Sequence, residues 1–180
     1  GPFTMILPFM EQQALFDRII FTAEWDAGVN QESRRTKLWE LTCPSDTVYP
    51  HVNYSGTNYA FCGGARRDFY STGGPVPASG MFLRRRESRL GDVLDGTSST
   101  IMIAEILKGD NSGGTLSPKR DYTNSLSLGT DQFPSAADIE AAGVGCDSTV
   151  QGWQQSNAGR DWMASFPGQV AFNTIAPPNW

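Results

Sequence analysis

Apolar residues recur at helical spacing near the start of the chain. Pro8 suits the first turn of a helix, and residues 8 to 20 then place apolar side chains with a period close to that of an α-helix. The positions that fall on one arc are Phe9, Leu15, Phe16, Ile19 and Ile20. This pattern predicts an amphipathic helix that packs on a core.

Further along, short apolar or β-branched runs are separated by turn residues. Residues 52 to 54, 58 to 61 and 81 to 83 are predicted to be short strands or extended pieces. Residues 100 to 104 (TIMIA) form the strongest strand, and their lack of alternation is typical of a central strand buried on both faces. Asp95-Gly96 is interpreted as the turn before it, and replacing Gly96 would be most damaging if the turn needs a positive φ.

Other helical signals are local. Ser135 followed by Asp138 resembles a capping box, which predicts a short helix within residues 134 to 142. Residues 89 to 94 are predicted to form one helical turn. Long stretches around these elements are rich in glycine, serine and proline, so we expect irregular loops there.

Composition supports one loop-rich domain. The 180 residues include 19 glycines and 11 prolines, and only 18% of them are charged. The mixture of helical and strand patterns predicts an α+β fold with long irregular loops. A net charge of −5 argues against a nucleic-acid partner, because phosphate binding needs a positive surface. No apolar run approaches the roughly 20 residues that cross a bilayer.

Two catalytic interpretations of the stretch GDVLDGTSST fail on their own requirements. A phosphate-binding P-loop would have the glycine spacing of Gly91 and Gly96, but it needs a lysine where Thr97 stands. A serine hydrolase would need a Gly-x-Ser-x-Gly elbow and a histidine base; the elbow is absent and His51 is the single histidine. We therefore expect no enzymatic activity, and a hydrolase that uses His51 with Ser98 or Ser99 is the weakest alternative.

Cysteine usage points to an oxidising compartment. Cys43, Cys62 and Cys146 are an odd number without a Cys-x-x-Cys pair, which favours one disulfide and a leftover thiol. Pairing Cys43 with Cys62, on proximity alone, would close a loop of about 20 residues and add about 3 kcal/mol to stability. A zinc site that also uses His51 is an alternative, although the spacings lack the usual ligand pairs.

Oxygen-rich loops offer a second kind of metal site. Asp92 and Asp95 flank one turn, and Asp110-Asn111-Ser112 forms another polar loop, so either could supply hard oxygen ligands for calcium. Neither matches an EF-hand loop, and such loops are more often simply solvated. We predict no cofactor and keep calcium as an alternative.

Basic and aromatic residues supply the candidate ligand contacts. Trp39 and Trp162 stand in mixed apolar surroundings and are predicted to be core residues, whereas Trp180 is expected to be exposed. An arginine cluster could bind an anionic polysaccharide or a lipid head group, although such runs are usually solvated. Its members are Arg84, Arg85, Arg86 and Arg89.

Five spaced motifs together resemble one known family. They are LPFMEQQALFDRI at 7 to 19, CPSD at 43 to 46, NYSGTNYAFCGG at 53 to 64, GMFLRRRESRLGDVLDGTSSTIMIAE at 80 to 105 and FNTIAPPN at 172 to 179. Their order is similar to that of a planctomycete family of prepilin-like surface proteins. That family carries a domain of unknown function and is also labelled an extracellular solute-binding family.

The resemblance implies a pilin-like or pseudopilin-like headgroup, with the amphipathic helix packed on an antiparallel sheet. It also implies a prepilin leader and a membrane helix ahead of Phe3, so Gly1-Pro2 is interpreted as an expression scar and residues 3 to 180 as one extracellular domain. Family members usually end in a His-x9-Asp-Gly segment, which this sequence lacks. The family segment after Pro-Pro-Asn often contains a cysteine that could pair with Cys146.

The function that the resemblance implies is a non-enzymatic, membrane-anchored, surface-exposed subunit of a type IV pilin-like or type II secretion pseudopilin-like assembly, structural or adhesive in role. Its expected partners are other pilin-like subunits and the inner membrane. The alternative is an extracellular carbohydrate- or solute-binding module that uses aromatic residues and calcium.

Overall fold

The computed structural model describes residues 1–67, 69, 79–82, 87–123, 132–147 and 154–176. The α-helices are α1 (Pro2–Ile6), α2 (Gln13–Asp17), α3 (Gln31–Arg35) and α4 (Ala136–Asp147). The strands are β1 (Tyr59–Cys62), β2 (Ile103–Glu105), β3 (Tyr122–Thr123), β4 (Gln154–Gln155) and β5 (Ala171–Phe172). Single 3-10 turns lie at Leu7–Met10, Gly28–Asn30, Trp39–Leu41, Leu90–Asp92 and Thr97–Ser99.

The first apolar segment is broken rather than continuous. Helix α1 passes into the 3-10 turn Leu7–Met10, and the chain then turns at Glu11, whose φ of 59° is left-handed, before α2 begins. Leu7 and Leu15 are buried on either side of this break, but Phe9 is 87% exposed. The predicted single helix over residues 8 to 20 is therefore wrong, and only part of its apolar arc reaches the core.

The main sheet has three strands in the order β2-β1-β5. β1 pairs antiparallel with β2 and parallel with β5, so the sheet is mixed and the prediction of an antiparallel sheet is wrong. β1, predicted as an extended piece, is the central strand. The strand expected at the centre is β2, which lies at an edge with Ile103 exposed. A separate antiparallel pair joins β3 to β4.

Helix and sheet share one hydrophobic core. The ring of Phe3 on α1 meets that of Phe61 on β1 edge-on, with 6.2 Å between centroids. Trp162 is fully buried, as predicted, and its indole N–H donates to the carbonyl of Thr36 at 2.9 Å. The other buried apolar members are Leu7, Leu15, Ile19, Leu38, Leu41, Phe69, Met163, Ala164, Val170 and Ala171.

Trp39 is not a core residue. Its side chain is 71% exposed, and the ammonium of Lys37 lies 4.1 Å from its ring centroid. The Trp39 ring therefore contacts the Lys37 ammonium and solvent, and it lacks the apolar neighbours that a core position would have.

The capping-box prediction is confirmed at α4. The hydroxyl of Ser135 accepts a hydrogen bond from the Asp138 N–H, and the Asp138 carboxylate accepts from the Ser135 N–H at 2.9 Å. Hydrogen bonds from the Ser135 hydroxyl and then its N–H hold the pKa of Asp138 below its usual value. The helix runs on to Asp147, well past the predicted end.

Two of the predicted strands are not found among the described residues. Residues 52 to 54 form a turn and an irregular segment, and Met81 and Phe82 are not in a strand; position 83 lies outside the described residues. The helical turn predicted in residues 89 to 94 is present as Leu90–Asp92. Within the described part of the chain, no helix is long and apolar enough to cross a membrane.

Candidate functional site

Asp46, in the CPSD motif, is a buried carboxylate surrounded by donors. The guanidinium of Arg120 lies 2.8 Å from its Oδ1, and the Thr47 N–H donates to the same oxygen. Its Oδ2 accepts from the Asn58 amide at 2.7 Å and from the Lys108 N–H at 2.9 Å. The Lys108 ammonium is also buried and lies 3.6 Å from Oδ2. One carboxylate therefore joins three distant segments.

Asn58, in the NYSGTNY motif, completes this cluster. Its Oδ1 accepts from the Cys43 N–H at 2.9 Å and from the Lys108 ammonium, while its amide donates to the carbonyl of Ile106 at 3.0 Å. Every polar atom of this fully buried side chain is thus engaged. A buried amide whose polar atoms are all hydrogen-bonded within the protein holds the surrounding chain in place and has no polar atom left to bind a ligand.

Electrostatics in this cluster favour a permanent ion pair. Burial alone would raise the pKa of Asp46, but hydrogen bonds from Lys108, Arg120 and Asn58 outweigh it and hold that pKa far below its usual value. Burial lowers the pKa of Lys108, and the facing Asp46 carboxylate opposes that effect. The cluster supplies structural anchoring, and the side chains of Asp46 and Lys108 are both almost wholly buried.

A second buried charge lies close to two aromatic rings. The guanidinium of Arg34 sits 5.4 Å from the Trp25 ring and 5.3 Å from the Tyr54 ring, and Arg160 lies 4.7 Å from Tyr54. The Nε of Arg34 is 3.6 Å from the Oδ2 of Asp161, which is fully buried. Burial raises the pKa of Asp161 to about 6, against the hydrogen bond from the Met163 N–H and the nearby arginines. These contacts are also internal to the fold.

The accessible site is a groove of about 540 Å³ at the end of β2. It lies between residues 79 to 81 and the loop that precedes the strand, and its volume is within the range of small-ligand pockets. Carboxylates, hydroxyls and aliphatic side chains share its walls. The lining residues are Ser79, Gly80, Met81, Ser88, Gly91, Asp92, Val93, Leu94, Asp95 and Thr100.

A glycine turn shapes one wall of this groove. Gly96 has a φ of 86° and a ψ of 139°, a conformation open to glycine and strained for other residues, so the predicted turn and its positive φ are confirmed. The Thr100 hydroxyl donates back to the Gly96 carbonyl at 3.2 Å. On the other side, the Asp92 carboxylate accepts from the Arg89 N–H at 2.9 Å and closes the turn Leu90–Asp92.

The predicted ligand residues are only partly within the described structure. Arg89 is exposed and follows the groove residue Ser88 along the chain. Arg84, Arg85, Arg86 and Trp180 lie outside the described residues. The groove itself was not predicted as a site, although its acidic residues were noted as a calcium alternative.

The predicted disulfide between Cys43 and Cys62 is not formed, since both are free thiols. Cys62 lies in β1 with its sulfur accepting a hydrogen bond from the Gly64 N–H, and burial raises the pKa of its thiol. The strand pairing of β1 fixes Cys62 in the core, whereas Cys43 is held by Asn58. Proximity along the chain was therefore a poor guide. The side chain of Cys146 lies outside the described residues.

Other candidate ligands have local partners. His51 is partly buried: its ring lies 4.8 Å from that of Tyr54, and its Nδ1 accepts from the Asn53 N–H. Both carboxylate oxygens of Asp110 accept hydrogen bonds within their loop, from Ser112 and Ser117. Among the described residues, no three acidic, histidine or cysteine side chains are grouped so as to hold a metal ion.

Comparison with known proteins assigns the chain to a family. Residues 1–171 match the family SBP_bac_10, described as "Protein of unknown function (DUF1559)". The chain belongs to this family. The match confirms the part of the resemblance that concerns a family of unknown function with a solute-binding label. No curated protein and no solved structure matches the chain.

For this DUF1559 member, the two central motifs have a structural role. CPSD and NYSGTNY supply Asp46 and Asn58 to the buried cluster. Sequence reasoning missed Lys108 and Arg120, because nothing local distinguishes a buried lysine after a strand from a solvated one. The long motif from 80 to 105 supplies most of the groove and β2.

Proposed function

We propose that this domain is a non-enzymatic, surface-exposed subunit of a type IV pilin-like or type II secretion pseudopilin-like assembly, with a structural or adhesive role. Its partners are other pilin-like subunits and the inner membrane, which it reaches through a helix that precedes Phe3. The observation that carries the proposal is the character of the N-terminal segment, α1 and the turn Leu7–Met10.

This segment is apolar on both faces. Phe3 and Leu7 are buried in the domain, while Met5 and Phe9 point outward and are 59% and 87% exposed. A helical segment that is hydrophobic all round is normally buried on all sides. Its outer face therefore suits contact with neighbouring subunits, as expected if this segment continues a helix at the centre of an assembly.

The exposed apolar side chains of this segment are Met5, Ile6 and Phe9. Large exposed apolar patches commonly mark protein interfaces. We call the surface formed by these three side chains the N-terminal patch. The turn Trp39–Leu41 is linked to the residues that follow the segment, because the Gln12 amide donates to the Glu40 carboxylate at 3.3 Å, and Trp39 is also largely exposed.

The internal use of the family motifs also supports a structural role. Asp46 and Asn58 bind each other and the chain around them, and neither is presented to solvent. A domain displayed outside the cell benefits from such buried anchoring, because its loops are long and its sheet is small.

Photo-crosslinking in the full-length, membrane-anchored protein tests this proposal. A photoreactive phenylalanine at position 9 should crosslink to pilin-like subunits, whether other copies or related chains, in intact cells. The same group at Val52, which is 93% exposed outside the patch, serves as the matched control. The proposal is wrong if position 9 gives no more pilin-like adducts than position 52 does.

A carbohydrate- or solute-binding module is the second candidate, and the groove favours it. Asp92 and Asp95 can accept hydrogen bonds from ligand hydroxyls, while Val93 and Leu94 offer apolar contact. Glycan-array binding with and without calcium tests this function. The double variant Asp92→Asn with Asp95→Asn should abolish binding, whereas Asp17→Asn, at an exposed position of α2, should leave binding intact. Absence of binding by the unaltered chain would reject this function.

A further inference from the structure

Strand β2 has an outer edge on which none of the described strands lies. It is the terminal strand of the sheet, and its ladder to β1 includes hydrogen bonds from the Cys62 N–H to the Met102 carbonyl and from the Ile106 N–H to the Asn58 carbonyl. Backbone groups alternate in direction along a strand. The N–H and carbonyl groups of the odd-numbered residues between these two bonds therefore point away from β1.

These outward groups belong to Ile103 and Glu105, which form non-hydrogen-bonded pairs with residues of β1. No strand in the described part of the chain pairs with this edge. A row of unpaired donors and acceptors with strand geometry is complementary to one kind of partner, another extended strand.

The side chains on this edge are apolar and accessible. Ile101, Met102, Ile103 and Leu107 are between 40% and 54% exposed. Natural edge strands are usually protected by lysines, prolines, bulges or a covering element. From 101 to 107 the single charged residue is Glu105 and there is no lysine or proline, so the strand's own sequence supplies little of that protection.

We propose that the edge is a self-association surface, on which β2 of a second copy pairs antiparallel with β2 about a two-fold axis at Ala104. Two sheets with the order β2-β1-β5 would then join as one six-stranded sheet. Isologous contact of this kind requires a surface that complements itself, and the segment from 101 to 107 does so.

The register follows from charge and from backbone direction. With the axis at Ala104, Ile103 faces Glu105 of the second copy, and the outward backbone groups of both meet as a hydrogen-bonded pair. A shift that moves the axis to Glu105 would place two glutamates directly opposite, which is destabilising. A register with the axis at Ile103 places fewer apolar residues opposite one another.

The same register engages a small apolar pocket next to the groove. Met102 of one copy faces Ile106 of the other, on the same face of the sheet. Met102 also lines a pocket of about 70 Å³, together with Met81, Leu90, Val93, Thr97 and Thr100. An aliphatic side chain from the second copy therefore arrives beside an apolar pocket, which extends the contact beyond the backbone.

The association is independent of the proposed function, because it uses β2 and not the N-terminal patch. Each copy carries a net charge of −5, so copies repel weakly at low ionic strength. Salt screens that repulsion, while apolar burial and backbone pairing persist. Association should therefore strengthen as salt is raised, which distinguishes it from pairing driven by surface charges.

Sedimentation velocity over a concentration series tests the surface on the 180-residue chain. The unaltered chain should show a monomer–dimer equilibrium, and Ile103→Lys should weaken it by at least roughly tenfold, because it places a charge on the edge. Leu116→Lys is the matched control, since Leu116 is equally exposed at 41% and lies outside β2. Phe9→Ser should leave the equilibrium unchanged.

A crosslink tests the register itself. Directly opposite residues of a non-hydrogen-bonded antiparallel pair have Cα atoms about 4.5 Å apart, which suits a disulfide. Ala104→Cys should therefore form a disulfide between the two copies at position 104 under mild oxidation, located by mass spectrometry, and Leu116→Cys should not. A monomeric unaltered chain, a dimer indifferent to Ile103→Lys, or equal crosslinking at both positions would overturn the proposal.

Discussion

Replacing Asp46 by asparagine tests the buried cluster most directly. The change removes one negative charge and keeps the size of the side chain. Each neighbour of the carboxylate is a donor: the Arg120 guanidinium, the Asn58 amide and the backbone N–H groups of Thr47 and Lys108. The new amide would point its own N–H groups at some of these donors. The Lys108 ammonium would also lose its counterion in a buried site.

The expected cost is large compared with the stability of a domain. Breaking a buried ion pair by removing one partner typically costs about 3–5 kcal/mol, because an uncompensated charge stays behind. The whole free energy of unfolding of a domain is about 5–15 kcal/mol. Asp46→Asn should therefore lose a substantial part of that free energy and unfold at a much lower urea concentration. Adding Lys108→Met to the variant should recover part of the loss, because it removes the stranded cation.

Urea unfolding at pH 7 measures the effect, with tryptophan fluorescence, to which the buried Trp162 contributes, and far-UV circular dichroism as two probes. Asp17→Asn is the matched control, since Asp17 is exposed and accepts only a local hydrogen bond from Gln13. The control should change the free energy of unfolding by less than about 0.5 kcal/mol. A loss below about 1 kcal/mol for Asp46→Asn would refute the account of the cluster as a buried, donor-saturated ion pair.

Three further predictions concern single sites. Gly96→Ala should lower the free energy of unfolding by about 1–3 kcal/mol through backbone strain alone, since the site has open space, whereas Gly91→Ala should be nearly neutral; urea unfolding of both distinguishes them. Ser135→Ala should cost about 1 kcal/mol by removing the cap of α4, measured by thermal unfolding. Asp161 binds its proton more tightly when folded, because its pKa is raised from 3.8 to about 6. The contribution of Asp161 to the free energy of unfolding should therefore fall by about 3 kcal/mol in total as pH rises from well below 3.8 to above 6. The difference in free energy of unfolding between Asp161→Asn and the unaltered chain should shift by that amount over this range, and a constant difference would contradict the raised pKa.

The sequence predicted features whose causes lie within a few residues. The capping box needs only Ser135 and Asp138, and the turn at Gly96 needs only a residue that accepts a positive φ. Each of these predictions is confirmed, because the side-chain and backbone groups that stabilise the feature are neighbours along the chain.

Predictions that depended on distant partners were less successful. The TIMIA segment is strongly apolar, but apolar content does not say which strand will lie on each side of it, and β2 is at an edge. Trp39 lies next to buried Leu38, but its ring faces Lys37 and solvent. The spacing of Cys43 and Cys62 gave no information on whether β1 would bring them together.

The sequence by itself determined the family, the loop-rich composition with both helical and strand patterns, the acidic net charge, and the local turns and caps. Only the tertiary structure decided that Lys108 and Arg120 meet Asp46, that a groove opens before β2, and that β2 is the terminal strand of the sheet in the described part of the chain. The physical reason is the distance along the chain over which each interaction acts. Dihedral preferences and capping bonds act between neighbours, whereas burial, ion pairing and strand order depend on which distant segments exclude water together.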